Sequence, residues 1–204
     1  MVDRRVPSRD GWIEVICGSM FSGKSEELLR RLRRAEIARQ RILVVKPALD
    51  TRFEGCDVRS HDGGGRQAHT VQRAEEILLL QGVEVSDIIA VDEAQFLDQE
   101  LVHVAQFLAD RGKRVIVAGL DQDFRGRPFG PMPMLLAVAE FVDKLQAICS
   151  ECGAPASRTQ RLVAGQPAGE HDALVKVGAL ETYQARCRRC HQLRRVDNLT
   201  MWES

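Results

Sequence analysis

The sequence predicts an α/β fold with a mostly parallel sheet, followed by a smaller metal-binding unit in the C-terminal third. Three observations predict it: a complete phosphate-binding P-loop after an apolar run, three later Val/Ile-rich runs separated by helical patterns, and two Cys-x-x-Cys pairs. Near-continuous apolar strands that alternate with helices are typical of a parallel sheet covered on both faces. A strand, a P-loop and a helix in succession predict the nucleotide-binding form of that architecture.

The P-loop comprises eight consecutive residues: Gly18, Ser19, Met20, Phe21, Ser22, Gly23, Lys24 and Ser25. It lies between residues 12–17, an apolar run predicted to be a strand, and residues 26–40, predicted to be a helix. In that setting the loop N–H groups bind nucleotide phosphates, the lysine adds charge at the β- and γ-phosphates, and the serine hydroxyl can bind Mg²⁺. A glycine-containing turn without a ligand is the alternative, but the complete motif in its strand–loop–helix context favours a nucleoside triphosphate site.

The remaining elements follow in chain order, and the runs rich in Val and Ile are predicted to be strands. Further strands are predicted at residues 41–46, 87–91 and 114–118, and helices at residues 74–80 and 99–109. Two glycine-containing stretches without periodicity are predicted to be loops, residues 48–69 and 160–183. Loops of this length are usually either functional or disordered.

Two acidic residues, Asp92 and Glu93, directly follow the predicted strand 87–91. They therefore lie at the carboxyl edge of the sheet, beside the P-loop. This is the position of the acidic residue that binds Mg²⁺ directly or through water, which we assign to Asp92. Glu93 is placed to take a proton from an attacking hydroxyl or water. An acidic start to the following helix is the alternative, and it fits a strand-terminal pair less well.

Cys149 with Cys152, and Cys187 with Cys190, form two Cys-x-x-Cys pairs that are far apart in the sequence. Four thiolates complete the tetrahedral coordination of Zn²⁺ and leave no position open for a substrate, so we predict a structural zinc site. His191 could replace the last cysteine as a ligand. Four free thiols or a redox pair are the further alternatives.

The composition excludes some functions and sets the expected location. Twenty-nine basic and 29 acidic residues cancel, so no net charge attracts nucleic acid or a membrane. The locally basic stretch 30–41 lies in a helix with an apolar stripe and is predicted to be a solvated helix face rather than a nucleic-acid patch. The chain starts without an apolar leader and contains no apolar run of about 18 residues, so we expect a cytoplasmic protein.

The chain resembles the type II thymidine kinases, a zinc-containing and tetrameric class found in bacteria and animals. The resemblance rests on strings that are not unique singly but occur in the family's order: GSMFSGKSEELLRR, VVKPALDTRF, SHDGG, IAVDEAQF, VAGLDQDFRGRPFGPMP, AICSECG, RTQR and YQARCRRCH. It covers nearly the whole chain, from Gly11 to Leu193. It implies a RecA-like P-loop domain at residues 11–147 and a zinc-ribbon-like domain at residues 148–193 that carries a lasso loop. The tails are residues 1–10, expected to be flexible, and residues 194–204.

The resemblance implies ATP-dependent phosphorylation of thymidine at the 5′-hydroxyl, with deoxyuridine as a second candidate substrate. Glu93 matches the family's general base, and Ser25 and Asp92 match its magnesium positions. The implied ATP site consists of residues 18–25 together with Asp50, Arg52, Asp92 and Gln95. The implied nucleoside pocket consists of Met20, Phe96, Leu120, Phe124, Phe129, Leu174, Val175, Lys176, Val177, Gly178 and Tyr183.

The implied cofactors are Mg²⁺ with ATP and one structural Zn²⁺. The implied partners are ATP and thymidine, with a homotetrameric assembly and feedback inhibition by thymidine triphosphate, and with neither nucleic acid nor a membrane. An alternative from another class is a nucleic-acid-stimulated P-loop ATPase or a zinc-ribbon adaptor, because the same P-loop, acidic string and cysteines would suit it. The zero net charge and the single lobe count against that alternative.

Overall fold

A computed structural model gives the fold of the protein and describes residues 10–48, 57–59, 65–174 and 181–194. The helices in these ranges are α1 (Lys24–Ile37), α2 (Leu101–Ala109) and α3 (Met132–Val138), with short 3₁₀ helices at Ala74–Leu79 and Ala94–Phe96. The strands are β1 (Trp12–Gly18), β2 (Ile42–Pro47), β3 (Asp57–Arg59), β4 (Gly65–Gln67), β5 (His69–Val71), β6 (Ile88–Val91), β7 (Arg114–Gly119), β8 (Phe141–Leu145), β9 (Ala147–Ile148), β10 (Pro155–Ala156), β11 (Arg158–Val163), β12 (Gln166–Pro167) and β13 (Glu181–Arg186).

The main sheet has six strands in the order β5-β2-β6-β7-β1-β8, and its neighbouring strands all pair in parallel. β7 lies between β1, which leads into the P-loop, and β6, which leads into the acidic pair. Because all these strands run the same way, the P-loop and the acidic pair emerge at the same edge of the sheet. This confirms the predicted parallel α/β architecture and places the two motifs side by side.

Helices cover both faces of this sheet. On one face, Leu28, Leu32 and Ala35 of α1 pack against Ile16 and Ile116 of the sheet. The spacing of these three helix positions places them on one side of an α-helix, which is why α1 buries that side. The other face packs against α2, α3 and the 3₁₀ helix Ala74–Leu79. The two apolar layers fix the sheet whose edge holds the candidate site.

Strands β5 and β8 of the main sheet and the helix α3 have no counterpart among the predicted elements. β8 is an edge strand, and its Asp143 and Lys144 form ion pairs with Arg31 and Asp121. These polar residues break the apolar run that identifies the other strands, so the sequence pattern did not indicate β8. The short helix α3 was also missed, because Pro131 and Pro133 stand at its start.

The two predicted loops contain strands, and this part of the prediction was wrong. Within residues 48–69, β3 and β4 pair as an antiparallel hairpin. Within residues 160–183, β11 pairs with β12 and β13 in a three-stranded antiparallel sheet. The buried side chains of β11 are Thr159, Gln160 and Arg161. Because these are polar and hydrogen-bonded, the strand has no hydrophobic alternation that a pattern could reveal.

The basic face of α1 was predicted to be solvated, but Arg31 on this helix is buried. Its side chain is buried under the helix and donates to Glu14 on β1, to Asp143 on β8 and to Glu27 one turn earlier. Glu14 is itself buried and also accepts hydrogen bonds from Trp12 and Arg114. The network therefore ties the helix after the P-loop to two neighbouring strands.

Replacing Arg31 with methionine should lower the free energy of unfolding by about 3 kcal/mol, because Glu14 and Asp143 each lose a charged partner. The control is Arg30→Met on the same helix, which removes an exposed ion pair to Glu27 and should cost less than about 0.5 kcal/mol. Urea unfolding of both variants measures the difference. Equal effects for the two substitutions would show that the buried network contributes no more than a surface pair.

The same network predicts a pH dependence of stability. Burial alone would raise the pKa of Glu14, but hydrogen bonds from Arg114 and Trp12 and the charge of Arg31 hold it below the usual 4.5. Hydrogen bonds from Arg30, then from Arg31, lower the pKa of Glu27 to about 2. Both pKa values are depressed, so this stabilisation is present above pH 4.5 and is lost as the pH falls towards 2. The difference in the free energy of unfolding between the unmodified protein and Arg31→Met should therefore become smaller as the pH falls from 4.5 towards 2.

No helix in the described ranges is long and apolar enough to cross a membrane.

Candidate active site

The P-loop has an unusual backbone that depends on its glycines. Gly18, Phe21 and Gly23 all have positive φ angles, of 143°, 64° and 84°. A Cβ atom on Gly18 would also lie 2.4 Å from the carbonyl oxygen of Leu145 on β8, so no side chain fits there. Gly23 caps the N-terminus of α1 in the left-handed conformation, which glycine adopts without strain. Turns of this kind direct successive N–H groups towards a common centre and form anion-binding concavities.

Lys24, Ser25 and Asp92 meet at the carboxyl edge of the sheet. The buried Lys24 ammonium donates to the carbonyl oxygen of Ser19 at 2.7 Å, which holds the loop closed around its own lysine. The Ser25 hydroxyl donates to Asp92 Oδ2 at 3.3 Å, although the two residues are 67 positions apart. A hydroxyl and a carboxylate at this position fit Mg²⁺, a cation that prefers oxygen ligands.

The electrostatics of Asp92 fit a cation at this position. Burial, followed by the negative charge of Glu93, raises the pKa of Asp92 to about 7. A hydrogen bond from the Glu93 N–H, the charge of Lys24 and the Ser25 hydroxyl oppose that rise. A divalent cation beside Asp92 would favour its ionised form, since an adjacent positive charge offsets the cost of burying a carboxylate.

Glu93 projects from a strained turn directly after β6. Its φ angle of 51° is in the left-handed region, and its N–H donates to Asp92 Oδ1 at 2.9 Å. Its carboxylate accepts a hydrogen bond from Gln95 Nε2 at 2.5 Å. Strained backbone of this kind is concentrated at functional sites, which agrees with the role predicted for Glu93.

Two of the aromatic residues predicted to line a nucleoside pocket, Phe96 and Phe129, contact each other close to Glu93. Phe96 and Phe129 form an edge-to-face pair with ring centroids 5.6 Å apart, and Phe129 is buried. Leu120 and Phe124, which follow β7, are buried as well. The guanidinium groups of Arg125 and Arg161 lie 4.5 and 5.0 Å from the centroid of the Phe124 ring. An apolar wall therefore adjoins the acidic pair.

The C-terminal unit contacts Met20 of the P-loop and carries Tyr183. The N–H of Met20 donates to the Thr159 hydroxyl at 3.0 Å, and Tyr183 on β13 lies opposite Arg161 on β11. Leu174 is partly exposed. The other predicted site residues lie outside the described residues: Asp50, Arg52, Val175, Lys176, Val177 and Gly178.

Two contacts between the P-loop and the C-terminal unit were not anticipated from the sequence. Besides the bond from Met20 to Thr159, the Ser19 hydroxyl donates to the carbonyl oxygen of Ala156 at 3.3 Å. Thr159 stands inside the string RTQR that carries the resemblance, yet nothing in the string itself indicates which side chain meets the P-loop. The P-loop is therefore joined directly to the cysteine-bearing unit.

The four predicted metal ligands do come together. The sulfur atoms of Cys149, Cys152, Cys187 and Cys190 all lie within 4.8 Å of one another, and those of Cys152 and Cys187 are 3.6 Å apart. A tetrahedral Zn²⁺ about 2.3 Å from each sulfur needs sulfur atoms about 3.8 Å apart, so the group fits this ion. Burial acts to raise the pKa of Cys149, but backbone N–H groups of Cys187 and Cys152 lower it to about 6, whereas hydrogen bonds with Cys152 and Cys187 raise the pKa of Cys190 to about 12.

His191, which was considered as a replacement for the last cysteine ligand, does not lie in the sulfur cluster. Its Nε2 atom lies 2.8 Å from the carbonyl oxygen of Phe124, and within the described ranges the metal-binding group contains cysteines alone. The histidine therefore contacts the backbone of the apolar wall rather than the sulfur cluster. The contact connects the second cysteine pair to the candidate pocket.

A parallel sheet in this strand order, with a P-loop after β1 and an acidic pair after β6, is the architecture of the P-loop α/β class of proteins. A family model described as "Thymidine kinase" matches residues 11–191. The chain therefore belongs to the thymidine kinase family, and it is an enzyme, a phosphotransferase of the nucleoside kinase class.

A solved structure with a similar fold supports this architecture. The chain is similar to the flagellar accessory protein FlaH from Methanocaldococcus jannaschii, with 13% identity, a TM-score of 0.51, and coverage of 72% of this chain and 76% of that chain. It also matches domain III of the Thermotoga maritima replication initiation protein DnaA, with 18% identity, a TM-score of 0.39, and coverage of 68% and 56%. At these identities the first likeness concerns the fold alone.

Proposed function

We propose that the enzyme transfers the γ-phosphoryl group of ATP to the 5′-hydroxyl of thymidine and forms thymidine monophosphate and ADP. The observation that carries the proposal is the meeting of Lys24, Ser25, Asp92 and Glu93 at one edge of the sheet, beside an apolar aromatic wall. Phosphate-binding groups, a candidate base and a surface for a flat ring are thereby within one site. Membership of the thymidine kinase family supports the same reaction.

On the nucleotide side, the P-loop N–H groups and Lys24 bind the phosphates of ATP. Ser25 and Asp92 would hold Mg²⁺, which neutralises phosphate charge when it is bound. Asp50 and Arg52 are proposed to act near the phosphates on the strength of the resemblance. With the phosphates held in this way, little covalent chemistry is required of the protein beyond positioning and charge stabilisation.

On the nucleoside side, Glu93 accepts the proton of the 5′-hydroxyl as its oxygen attacks the γ-phosphorus. The bond from that phosphorus to the β–γ bridging oxygen breaks, and ADP leaves with the electron pair. A carboxylate is suited to this step because it can accept a proton at physiological pH. The half-buried position of Glu93 at the sheet edge lets it face both the phosphates and the neighbouring pocket.

The pyrimidine ring is proposed to lie against Phe96, Leu120 and Phe129, with Met20 and Tyr183 at its edges. The segment 174–178 is proposed to pair with the ring through its backbone. Thymine offers two carbonyl acceptors and one N–H donor, which backbone groups can match. Cytosine presents a different donor and acceptor order and would leave buried polar groups unpaired, so the site should reject it.

Further features are proposed from the resemblance and from the cysteine group. One structural Zn²⁺ joins β13 to the β9–β10 hairpin through the four cysteines. The domain division at residue 147, a homotetrameric assembly, feedback inhibition by thymidine triphosphate and a cytoplasmic location are proposed on the resemblance.

A coupled assay of ADP release with a panel of nucleosides tests the proposed function. We expect turnover with thymidine and, more weakly, with deoxyuridine, and a kcat/KM for deoxycytidine at least about 100-fold lower than for thymidine. The product should be confirmed as the 5′-monophosphate. ADP release that needs no nucleoside and rises with added DNA would instead support the nucleic-acid-stimulated ATPase.

A further inference from the structure

The side chain of Gln95 is almost completely enclosed, with 2% of the residue exposed. It stands in the 3₁₀ helix Ala94–Phe96, two residues after Glu93. Both ends of its amide are engaged inside the protein. Nε2 donates to Glu93 Oε2 at 2.5 Å, and Oε1 accepts from the N–H of Leu120 at 2.9 Å. The family resemblance implies that Gln95 contacts ATP. Both of the side-chain hydrogen bonds described here are made to groups of the protein instead.

The two hydrogen bonds of Gln95 demand the same orientation of its amide. The Leu120 N–H can only donate, so the oxygen of the amide must face it. The nitrogen then faces Glu93 and donates to an oxygen of its carboxyl group. An amide is therefore a group that satisfies both neighbours at once.

Gly119 leaves the space that the Gln95 amide occupies, and Gly130 leaves room for the Gln95 backbone. A Cβ atom on Gly119 would lie 2.8 Å from Gln95 Oε1, and one on Gly130 would lie 2.3 Å from the backbone carbonyl oxygen of Gln95. Gly130 also has a φ angle of 50°, which suits glycine. Side chains at either position would displace Gln95, so the enclosure is shaped for this residue.

Both the backbone and the carboxylate of Glu93 are thereby held in place. Its backbone, in a left-handed conformation, is fixed by the bond from its N–H to Asp92, and its carboxylate is fixed by Gln95. Gln95 in turn is anchored on Leu120, a residue of the apolar wall. The chain of bonds from Leu120 through Gln95 to Glu93 therefore relates the position of the candidate base to the position of the pocket.

We propose that Gln95 is a positioning residue that holds the Glu93 carboxylate in register with the wall of the nucleoside pocket, rather than a contact for the nucleotide. The role rests on the proposed function, because it takes Glu93 as the base. It predicts an effect on the rate of phosphoryl transfer that acts through Glu93 and leaves nucleotide affinity unchanged.

The test compares Gln95→Met in two backgrounds, the unmodified enzyme and Glu93→Gln. Methionine retains the length of the side chain but donates no hydrogen bond. In the unmodified background we expect a 10- to 100-fold lower kcat, since a misplacement of about 1 Å at a reacting group can cost about 100-fold. The KM for ATP should change less than about twofold. In the Glu93→Gln background the same substitution should change kcat less than about twofold, because the group it positions is already absent.

Gln99→Met is the matched control. Gln99 is exposed, and its Nε2 donates to the carbonyl oxygen of Gly130 at 2.9 Å. The control removes a glutamine hydrogen bond near the same glycine without touching Glu93, so kcat should stay within about twofold of the unmodified enzyme. If Gln95→Met does not fold, Gln95→Glu provides the second variant. It retains an acceptor for the Leu120 N–H but places a second carboxyl group against Glu93, and two carboxyl groups this close share a proton. Glu93 is then no longer available as a base, so this variant should also show a loss of kcat.

Three results would overturn the positioning role. The first is an unchanged kcat for folded Gln95→Met and Gln95→Glu, and the second is a raised KM for ATP with kcat preserved. The third is an equal loss of kcat from Gln95→Met in both backgrounds. The proposed function fails separately, if the unmodified enzyme phosphorylates no nucleoside, and the role of Gln95 then falls with it. Thymidine turnover that depends on Glu93 but not on Gln95 overturns the role of Gln95 alone.

Discussion

Replacing Glu93 with glutamine is expected to lower the kcat for thymidine phosphorylation about 1,000-fold, within the range of effects seen for general bases. The amide has nearly the same size as the carboxylate, and its oxygen can still accept the hydrogen bond from Gln95. It cannot take a proton from the 5′-hydroxyl. Affinity for an ATP analogue should stay within about twofold, because Lys24 and the P-loop are unchanged.

The control for this prediction is Glu100→Gln, which makes the same change of charge at an exposed residue before α2. Its turnover should equal that of the unmodified enzyme. Steady-state ADP release gives kcat, and titration with a non-hydrolysable ATP analogue gives the dissociation constant. A Glu93→Gln enzyme that turns over within about fivefold of the unmodified enzyme would remove Glu93 as the base.

Removal of the metal from the four-cysteine site is expected to abolish thymidine turnover, with a loss of at least about 100-fold. The core of this unit consists of Ala147, Ala156 and Ala185 with Cys149 and Cys187. Such small side chains bury little apolar area, so they stabilise the unit only weakly. Structural zinc sites contribute about 10–16 kcal/mol of binding free energy, which here would hold β13 against the β9–β10 hairpin.

The loss of metal should also weaken nucleotide binding, although the cysteines lie outside the phosphate site. Ala156 and Thr159 follow the first cysteine pair closely and hydrogen-bond to Ser19 and Met20 of the P-loop. When the metal-bound unit loosens, these two contacts are lost and the P-loop is less well ordered. The main sheet should stay folded, since its apolar layers do not include the cysteine unit.

Cys187→Ser tests this prediction together with metal analysis, nucleotide titration and limited proteolysis. We expect no bound zinc, weaker ATP-analogue binding and cleavage confined to the segment after residue 147. The control is Arg188→Gln, an exposed position inside the same Cys-x-x-Cys pair, which should keep its zinc and its activity. A zinc-free protein with full turnover would show that the metal is dispensable for the site.

The sequence was sufficient for those parts of the molecule whose signal is local. The P-loop, the acidic pair after β6 and the two cysteine pairs are each defined by residues within a few positions of one another. The parallel sheet also followed from the sequence, because β1, β2, β6 and β7 are buried on both faces and consist mainly of apolar residues. Strands that carry polar residues, such as β8 and β11, were not recognised, because their polar side chains are paired within the fold.

The composition and motifs of this chain thus predicted its fold class, which the structure confirms, together with a candidate phosphate site and candidate metal ligands. The tertiary structure alone decided which side chains meet across long stretches of sequence: Ser25 with Asp92, Met20 with Thr159, and Gln95 with Leu120. It also decided that Arg31 is buried while Arg30 is exposed. The physical reason is that a hydrogen bond or an ion pair depends on distance in space, and residues far apart in sequence carry no local pattern that records their partner.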